Sequence, residues 1–269
     1  MLEIRDQDIR TTGRRSSKGN QLKAERDGYW YKADYAGYEG LAEYTVSARL
    51  TFSDLSDPEY VRYDTEQIRY RQQTFLGCRS ADFLEKGSQM FTLERLFQNA
   101  YGKSLYEEIF HIEDIRSRIR FLVEHTIQLT GLRGFGIYLS KMLAVDALFL
   151  NEDRHMHNIA VILGRDGKYQ LCPLYDHGGC LLSDTTVDYP MGGDLLSMID
   201  QVKAKTCSAS FDEQLDTADA LYGQQIRFSF THKDVQTLLD AEPFYPAEVK
   251  NRVRDIIYDR MRKYRFLFN

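Results

Sequence analysis

The stretch "LNEDRHMHNIAVILGRDGKYQLCPLYDHGG" (150–179) crowds Asp153, Arg154, His155, His157 and Asn158 directly behind an apolar segment. It then delivers one more acid, Asp176, beside glycines. Asp153 and Asn158 fall on a short bend between a helical and a strand-like segment. Asp176 falls at the far end of the hairpin that follows, so the turn returns it alongside Asn158. A carboxylate able to meet a hydroxyl, an Asn oxygen and a second carboxylate then converge on one point. Magnesium favours such hard oxygen ligands and keeps waters and substrate phosphates in its remaining positions. A placed acceptor and a cation that neutralises phosphate charge are what phosphoryl transfer needs.

That chemistry asks for a further cation on the phosphates. Lys32 lies in "GYWYKAD" (28–34), an aromatic run that alternates as a strand does, with Trp30 and Lys32 on one face and Tyr29 and Tyr31 on the other. Glu43 follows across a strand-to-helix turn and could orient Lys32, with Glu39, one helical turn earlier, as the rival. Upstream, "TTGRRSSKGNQLK" (11–23) mixes Gly13 and Gly19 with Ser16, Ser17 and Lys18. Backbone N–H groups in a turn of this kind, here at Ser17, Lys18 and Gly19, can cradle phosphate.

The elements that must hold these groups read as follows. "YEGLAEYTVSARLTF" (38–52) spaces Leu41, Tyr44, Ala48 and Phe52 as a helix stripe. Residues 59–79 read as two β-runs joined by a polar turn near Asp64–Gln67, and "EKGSQ" (85–89) as a hinge. Beyond it the pattern is helical. One helix closes on Gly102, and another over 112–131 carries Ile115, Ile119, Leu122 and Val123 on one stripe. A third, over 134–150, feeds the bend. "IAVIL" and "KYQLCPLY" flank Gly-Arg-Asp-Gly, a hairpin signal. From Asp194 the chain is mostly helix, interrupted at "EPFYPAE". The expected fold is α+β and two-lobed: a strand-rich lobe over 1–84 and a helical lobe with one hairpin over 85–269.

The run Asp153-Arg154-His155-x-x-Asn158, followed by Asp176-x-Gly178, resembles the catalytic and metal-binding motifs of the phosphoinositide-kinase-like branch of the protein-kinase fold. It is most similar to compact bacterial HipA-like members, whose catalytic loop reads D-x-H-x-x-N. The order of loop, lysine strand, helix, hinge, catalytic loop and D-x-G extends the resemblance over nearly the whole chain. The resemblance implies an ATP- and Mg2+-dependent serine/threonine protein kinase. In it Asp153 is the catalytic base, Asn158 and Asp176 bind the metal, Lys32 holds the α- and β-phosphates and Glu43 orients Lys32. Phe83 and Leu84 would meet adenine. It also implies a protein substrate, an antitoxin as possible partner in a toxin–antitoxin pair, and Ser16 or Ser17 as sites of autophosphorylation. Two departures are visible. The chain leaves no room for the additional N-terminal subdomain of HipA proper, and Gly19-Asn20-Gln21-Leu22 replaces the usual Val-Gln run. Lipid or small-molecule kinases and nucleotide-binding pseudokinases share much of this pattern and stand as alternatives.

Other features have plainer readings. His155 and His157 form H-x-H, but no third ligand has convincing spacing for a transition metal, and the D-R-H motif accounts for His155, as an orderer of the loop or a contact to the transferring phosphate. His157 reads as a loop residue. Asp146, inside an apolar helix, is expected to hydrogen-bond the catalytic loop, because an unpartnered buried carboxylate is costly, and Arg154 is expected in a structural pair. "GLRGFG" (131–136) follows a helix instead of a strand, so it is a connection and not a dinucleotide fingerprint. The basic residues Arg252, Arg254, Arg260, Arg262, Lys263 and Arg265 read as a solvated helix face. Ser183, Thr185, Thr186 and Tyr189 read as surface loop residues or a regulatory segment.

The net charge of −5 argues against direct nucleic-acid binding through bulk attraction. The four cysteines lack C-x-x-C spacing, which suggests reduced thiols in the cytoplasm. The charged N-terminus does not read as a signal peptide, and the longest apolar run, "MLAVDALFL" (142–150), is too short to span a bilayer.

Overall fold

The computed structural model describes residues 1–10 and 21–268. In chain order the first elements are β1 (Leu2–Glu3), β2 (Lys23–Arg26), β3 (Tyr29–Ala33), α1 (Glu39–Leu50), β4 (Asp64–Tyr70) and β5 (Gln73–Ala81). The strands form one sheet in the order β1-β4-β5-β3-β2, antiparallel except where β1 runs parallel to β4. A tight turn at Asp27-Gly28 joins β2 to β3 and sets Lys23 directly across from Lys32.

The turn between β4 and β5 is not at Asp64–Gln67, which lies within β4. It is at Arg71-Gln72, both with positive φ (46° and 67°). That geometry matches the strand twist and normally selects Asn or Gly. The polar residues of β4 have a different use: Asp64 and Glu66 pair across the sheet with Arg79 at 3.4 and 3.9 Å.

Helix α1 lies directly on the sheet. A Cβ on Gly40 would fall 2.4 Å from the Gly77 carbonyl carbon, and one on Gly77 would fall 2.1 Å from the Lys32 carbonyl oxygen. Only glycine at both positions permits that approach. The core face of α1 differs from the expected stripe. Leu41, Ala42, Val46 and Leu50 are buried, whereas Phe52 lies beyond the helix end, 39% exposed. The helix is covered on two sides, by the sheet and by the other lobe, so a single-stripe pattern describes it poorly.

The remaining chain gives β6 (Gln89–Thr92), α2 (Leu93–Tyr101), α3 (Leu105–His111), α4 (Ile115–Thr130) and α5 (Phe135–Phe149). There follow β7 (Ala160–Leu163), β8 (Tyr169–Leu171), α6 (Leu195–Gln201), α7 (Phe211–Tyr222), α8 (His232–Ala241) and α9 (Ala247–Lys263). Strands β6, β7 and β8 make a small antiparallel sheet, with β7 and β8 forming the expected hairpin. Helix α5 is apolar on nearly all sides because α4, α7 and α9 surround it. Asp114 caps the start of α4 by accepting from Ser117 N at 2.9 Å, and Gly131 closes it in the left-handed conformation. All four cysteines are free and buried. Among the described residues no helix is long and apolar enough to cross a membrane.

Candidate active site

Asp146 sits in the last turn of α5, and Leu150 reverses the chain with φ 54°. The carboxylate receives Arg154 Nε at 3.0 Å, Arg154 Nη2 at 3.2 Å and Asn151 Nδ2 at 2.9 Å. Arg154 is 1% exposed. Its Nη1 donates both to the Asn158 carbonyl (3.1 Å) and to the Tyr175 carbonyl (2.7 Å). One guanidinium thus ties the bend after α5 to the exit of the β7–β8 hairpin. Burial would lower its pKa, but the charge and hydrogen bonds of Asp146 win and hold Arg154 protonated. Asp146 thus bonds the loop and Arg154 lies in a structural pair, as expected of each; that they are each other's partners was not read from the sequence.

Within the bend, Asn158 Nδ2 donates to the Asp153 carbonyl (2.9 Å) and to Asp153 Oδ2 (3.3 Å). The NH2 is therefore spent, and the amide oxygen is the atom Asn158 has left to offer a ligand. His155 Nδ1 accepts from the His157 backbone N–H at 3.2 Å, which puts the ring proton on Nε2, 3.6 Å from Asp153 Oδ1. Burial lowers the His155 pKa, with Asp153 opposing, so the ring is neutral near pH 7. His157 is an exposed loop residue.

Lys32 stands opposite, with its Nζ 2.7 Å from Glu43 Oε1 and 2.8 Å from Asp176 Oδ1. Glu39 is engaged elsewhere: it accepts from the N–H groups of Ala36 (2.7 Å) and Gly37 (3.1 Å) at the start of α1. Glu43 is therefore the partner of Lys32 and Glu39 is not. Glu43 Oε2 also accepts the His177 N–H at 2.7 Å, so α1, β3 and the D-x-G turn meet at one carboxylate.

Burial alone would depress the Lys32 ammonium, but Asp176 and Glu43 outweigh it and keep the group charged. Burial works against the Asp176 carboxylate, yet Lys32, with Lys23 and Arg154, holds its pKa far below the usual range. Glu43, 1% exposed, is pushed up by burial, with Lys32 opposing, so of the two acids it is the one that protonates first. Asp176 is a non-glycine residue with φ 60°, a strained conformation held by these contacts.

Phe83 packs against Tyr175, with ring centroids 6.0 Å apart. It joins the cluster of Val61, Tyr63 and Cys78 to that of Ala160, Ile162 and Cys172, and Leu84 joins the latter. Phe83 thus lines the apolar joint between the two sheets, against the residue that precedes Asp176, with Leu84 on the β7 side. Gly13, Ser16, Ser17, Lys18 and Gly19 lie outside the described residues.

No family model matches this sequence, and no curated protein does. The folded chain is similar to a crystal structure of CtkA, a proinflammatory kinase of Helicobacter pylori, with a TM-score of 0.61. The match spans 97% of this chain and 94% of that one at 16% identity. The fold is a kinase-like, two-lobed α+β fold.

The segment after Asp176 is docked, not loose. Ser183 Oγ donates to the Gly178 carbonyl, the Tyr38 N–H to the Ser183 carbonyl, and the Thr185 N–H to the Ala36 carbonyl. Tyr189 OH reaches Glu152 Oε2, and Arg252 Nη2 donates to the Tyr189 carbonyl at 2.9 Å. Ser183 and Tyr189 are buried, which corrects their reading as surface residues, whereas Thr186 is exposed. Arg252 and Arg260 are buried as well, so the basic tail is not one solvated face. Arg252 was hidden in the sequence because its partners lie 54 or more positions away.

Lys23 was missed. It faces Lys32 across the β2–β3 ladder, and burial, then the Lys32 charge, lower its pKa while Asp176, Glu43 and Asp153 raise it. The Asp-Gly turn at 27–28 was the signal, since it fixes which residue stands opposite Lys32.

Asn158 and Asp176 are hard oxygen donors of the kind magnesium takes. Among the described residues no group of three or more His, Cys, Asp or Glu side chains is gathered to hold a metal. A cation here would complete its shell from phosphate oxygens and water.

Proposed function

We propose that the chain is an ATP- and magnesium-dependent kinase whose acceptor is a serine or threonine hydroxyl of a protein. The observation that carries this reading is the Lys32 ammonium held between Glu43 and Asp176. Arg154 ties the residue before Asp176 to a bend in which Asp153 and Asn158 are hydrogen-bonded to each other. The kinase named as its fold neighbour supports the same chemistry. The reaction lies between a lobe of residues 1–84 and one of 85–269, with adenine against Phe83 and Leu84.

In this reading Lys32 binds the α- and β-phosphates, with Ser17, Lys18 and Gly19 covering them. Glu43 positions Lys32, and Asn158 and Asp176 would hold Mg2+, which supplies charge neutralisation on the phosphates. Asp153 orients the acceptor hydroxyl and takes its proton. The acceptor oxygen bonds to the γ-phosphorus as the bond from that phosphorus to the β–γ bridging oxygen breaks, and ADP leaves with the electron pair. His155 accepts the His157 N–H at Nδ1 and so orders the same loop. The resemblance to HipA-like kinases adds a toxin–antitoxin role and a loop-serine switch as further proposals.

The test is incubation with Mg2+ and ATP followed by mass spectrometry, on wild type, Asp153→Asn and Asp176→Asn. Phosphate should appear on serine or threonine in the wild type alone. Asp153→Asn should still bind ATP, whereas Asp176→Asn should lose metal-dependent binding. Transfer by Asp153→Asn at the wild-type rate would overturn the assignment. ATP binding without turnover in the wild type would make the protein an interaction module, and phosphate on an added lipid or small hydroxyl alone would move the acceptor class.

A further inference from the structure

The turn over residues 204–209, between α6 and α7, presses one lysine against the bend that carries Asp153. Lys205 Nζ lies 3.9 Å from Asp153 Oδ1, and its side chain is 48% exposed. Its neighbours are buried on both sides: Ala204, Thr206 and Cys207. The turn is closed by the Ala204 N–H donating to the Ala209 carbonyl at 3.0 Å. Thr206 Oγ1 donates to the Arg154 carbonyl at 2.7 Å, which fastens the turn to the residue next to Asp153. Arg118 Nη1 holds the Cys207 carbonyl at 3.1 Å, and the Cys207 N–H donates to Gln214 Oε1 at 3.3 Å. Ala204, Thr206, Cys207 and Ser208 are buried, while the Lys205 side chain is half exposed beside Asp153.

The charges on this side of the site make that exception informative. Arg154 points inward to Asp146, and Lys32 is engaged by Glu43 and Asp176. At 3.9 Å the Lys205–Asp153 contact is a loose ion pair on a flexible stem, with donors left over for another anion. An acceptor hydroxyl bonded to Asp153 sits about 3 Å from that carboxylate, and the phosphorus it attacks about 3–3.5 Å further on. The ammonium is therefore within a side-chain rotation of the oxygens that gather charge during transfer.

We propose that Lys205 is a catalytic residue that contacts the transferring γ-phosphoryl group from the acceptor side, opposite Lys32. The assignment rests on the kinase reading of Asp153. Its contribution is electrostatic. It takes no proton and forms no bond, and it balances negative charge as the phosphoryl group passes toward the acceptor.

The experiment measures binding of Mg-ATP and Mg-ADP by calorimetry, together with phosphate transfer, for wild type, Lys205→Met, Lys205→Arg and Lys203→Met. Lys203, exposed two residues away, controls for surface charge. Lys205→Met should bind ADP like wild type, bind ATP about tenfold more weakly, and transfer phosphate about a hundredfold more slowly. Lys205→Arg should recover most of both, and Lys203→Met should match wild type. An ATP-to-ADP affinity ratio unchanged in Lys205→Met would overturn the assignment, as would an equal effect of Lys203→Met. If wild type transfers no phosphate, the kinase reading fails by itself, and the same ratio still decides whether Lys205 meets the γ-phosphate.

Discussion

Lys32 Nζ is shared almost equally between Glu43 Oε1 at 2.7 Å and Asp176 Oδ1 at 2.8 Å, residues contributed by α1 and by the turn after β8. Three elements far apart in sequence depend on one ammonium. Lys32→Met leaves two acids facing each other with no cation between them. Breaking a buried pair typically costs 3–5 kcal/mol; with Asp176 28% exposed, the lower end, about 3 kcal/mol, is expected at neutral pH. Glu43, already raised by burial, rises further in the variant. The cost should therefore shrink as the pH falls and Glu43 takes up a proton. The depressed Asp176 of the wild type keeps its contribution down to about pH 4 and loses it only below that value, outside this window. Urea unfolding near pH 8 and near pH 5 measures the shrinking cost; an identical loss at the two pH values would contradict this account.

The close seat of α1 on the sheet gives a second expectation. Gly40→Ala and Gly77→Ala each drive a methyl group into backbone, which cannot move aside as a side chain can. Each should cost about 3 kcal/mol and weaken ATP binding, because lifting α1 carries Glu43 away from Lys32. Gly102→Ala is the comparison. It meets nothing within 4 Å and should cost only about 1 kcal/mol, the penalty of its left-handed backbone. Thermal melts and nucleotide titrations on the three variants separate packing from backbone strain.

Asp34 accepts from Tyr245 OH at 2.7 Å and from the Gly40 N–H at 2.6 Å. Burial nevertheless pushes its carboxyl up from 3.8 to about 7. The folded state thus holds a proton that the unfolded chain releases near pH 4. Its contribution to stability should be fully present below that value, fall as the pH rises toward 7 and then level off, by about 4 kcal/mol in all. Asp34→Asn should flatten the profile over that window. An unaltered slope in the variant would assign the pH dependence to other groups.

Arg154→Lys keeps the charge and loses the fork. An ammonium cannot span Asp146, the Asn158 carbonyl and the Tyr175 carbonyl together. A loss of about 3 kcal/mol is expected, with phosphate transfer falling in parallel. Asp153→Asn should instead abolish transfer with little change in the melting temperature. If Arg154→Lys melts like wild type, the guanidinium is not what joins the bend to the hairpin.

The local parts of this molecule were readable from sequence. Asp153 and Asn158 share one bend and bond to each other, and the hairpin that delivers Asp176 forms where its glycines signal it. That Asp146 would bond the loop followed from the cost of burying a carboxylate alone, but not that Arg154 would be its partner. What escaped was long-range or atypical. Arg71-Gln72 forms a turn that glycine or asparagine usually signals. Arg252 looks like a surface cation until the segment around Tyr189 folds against it. Lys205 lies outside every motif, and the bond from Thr206 to the Arg154 carbonyl fastens its turn beside Asp153. Glu43 was preferred to Glu39 on spacing, and the N–H groups of Ala36 and Gly37 claim Glu39 while Glu43 pairs with Lys32.

The hydrogen bond from Tyr245 to Asp34 joins residues 211 positions apart. During synthesis β3 leaves the ribosome well before the link that precedes α9. The strand bearing Lys32 must wait for that link before its brace arrives. A nascent chain therefore carries Lys32 for a long stretch of its synthesis without the clasp that steadies the neighbouring turn.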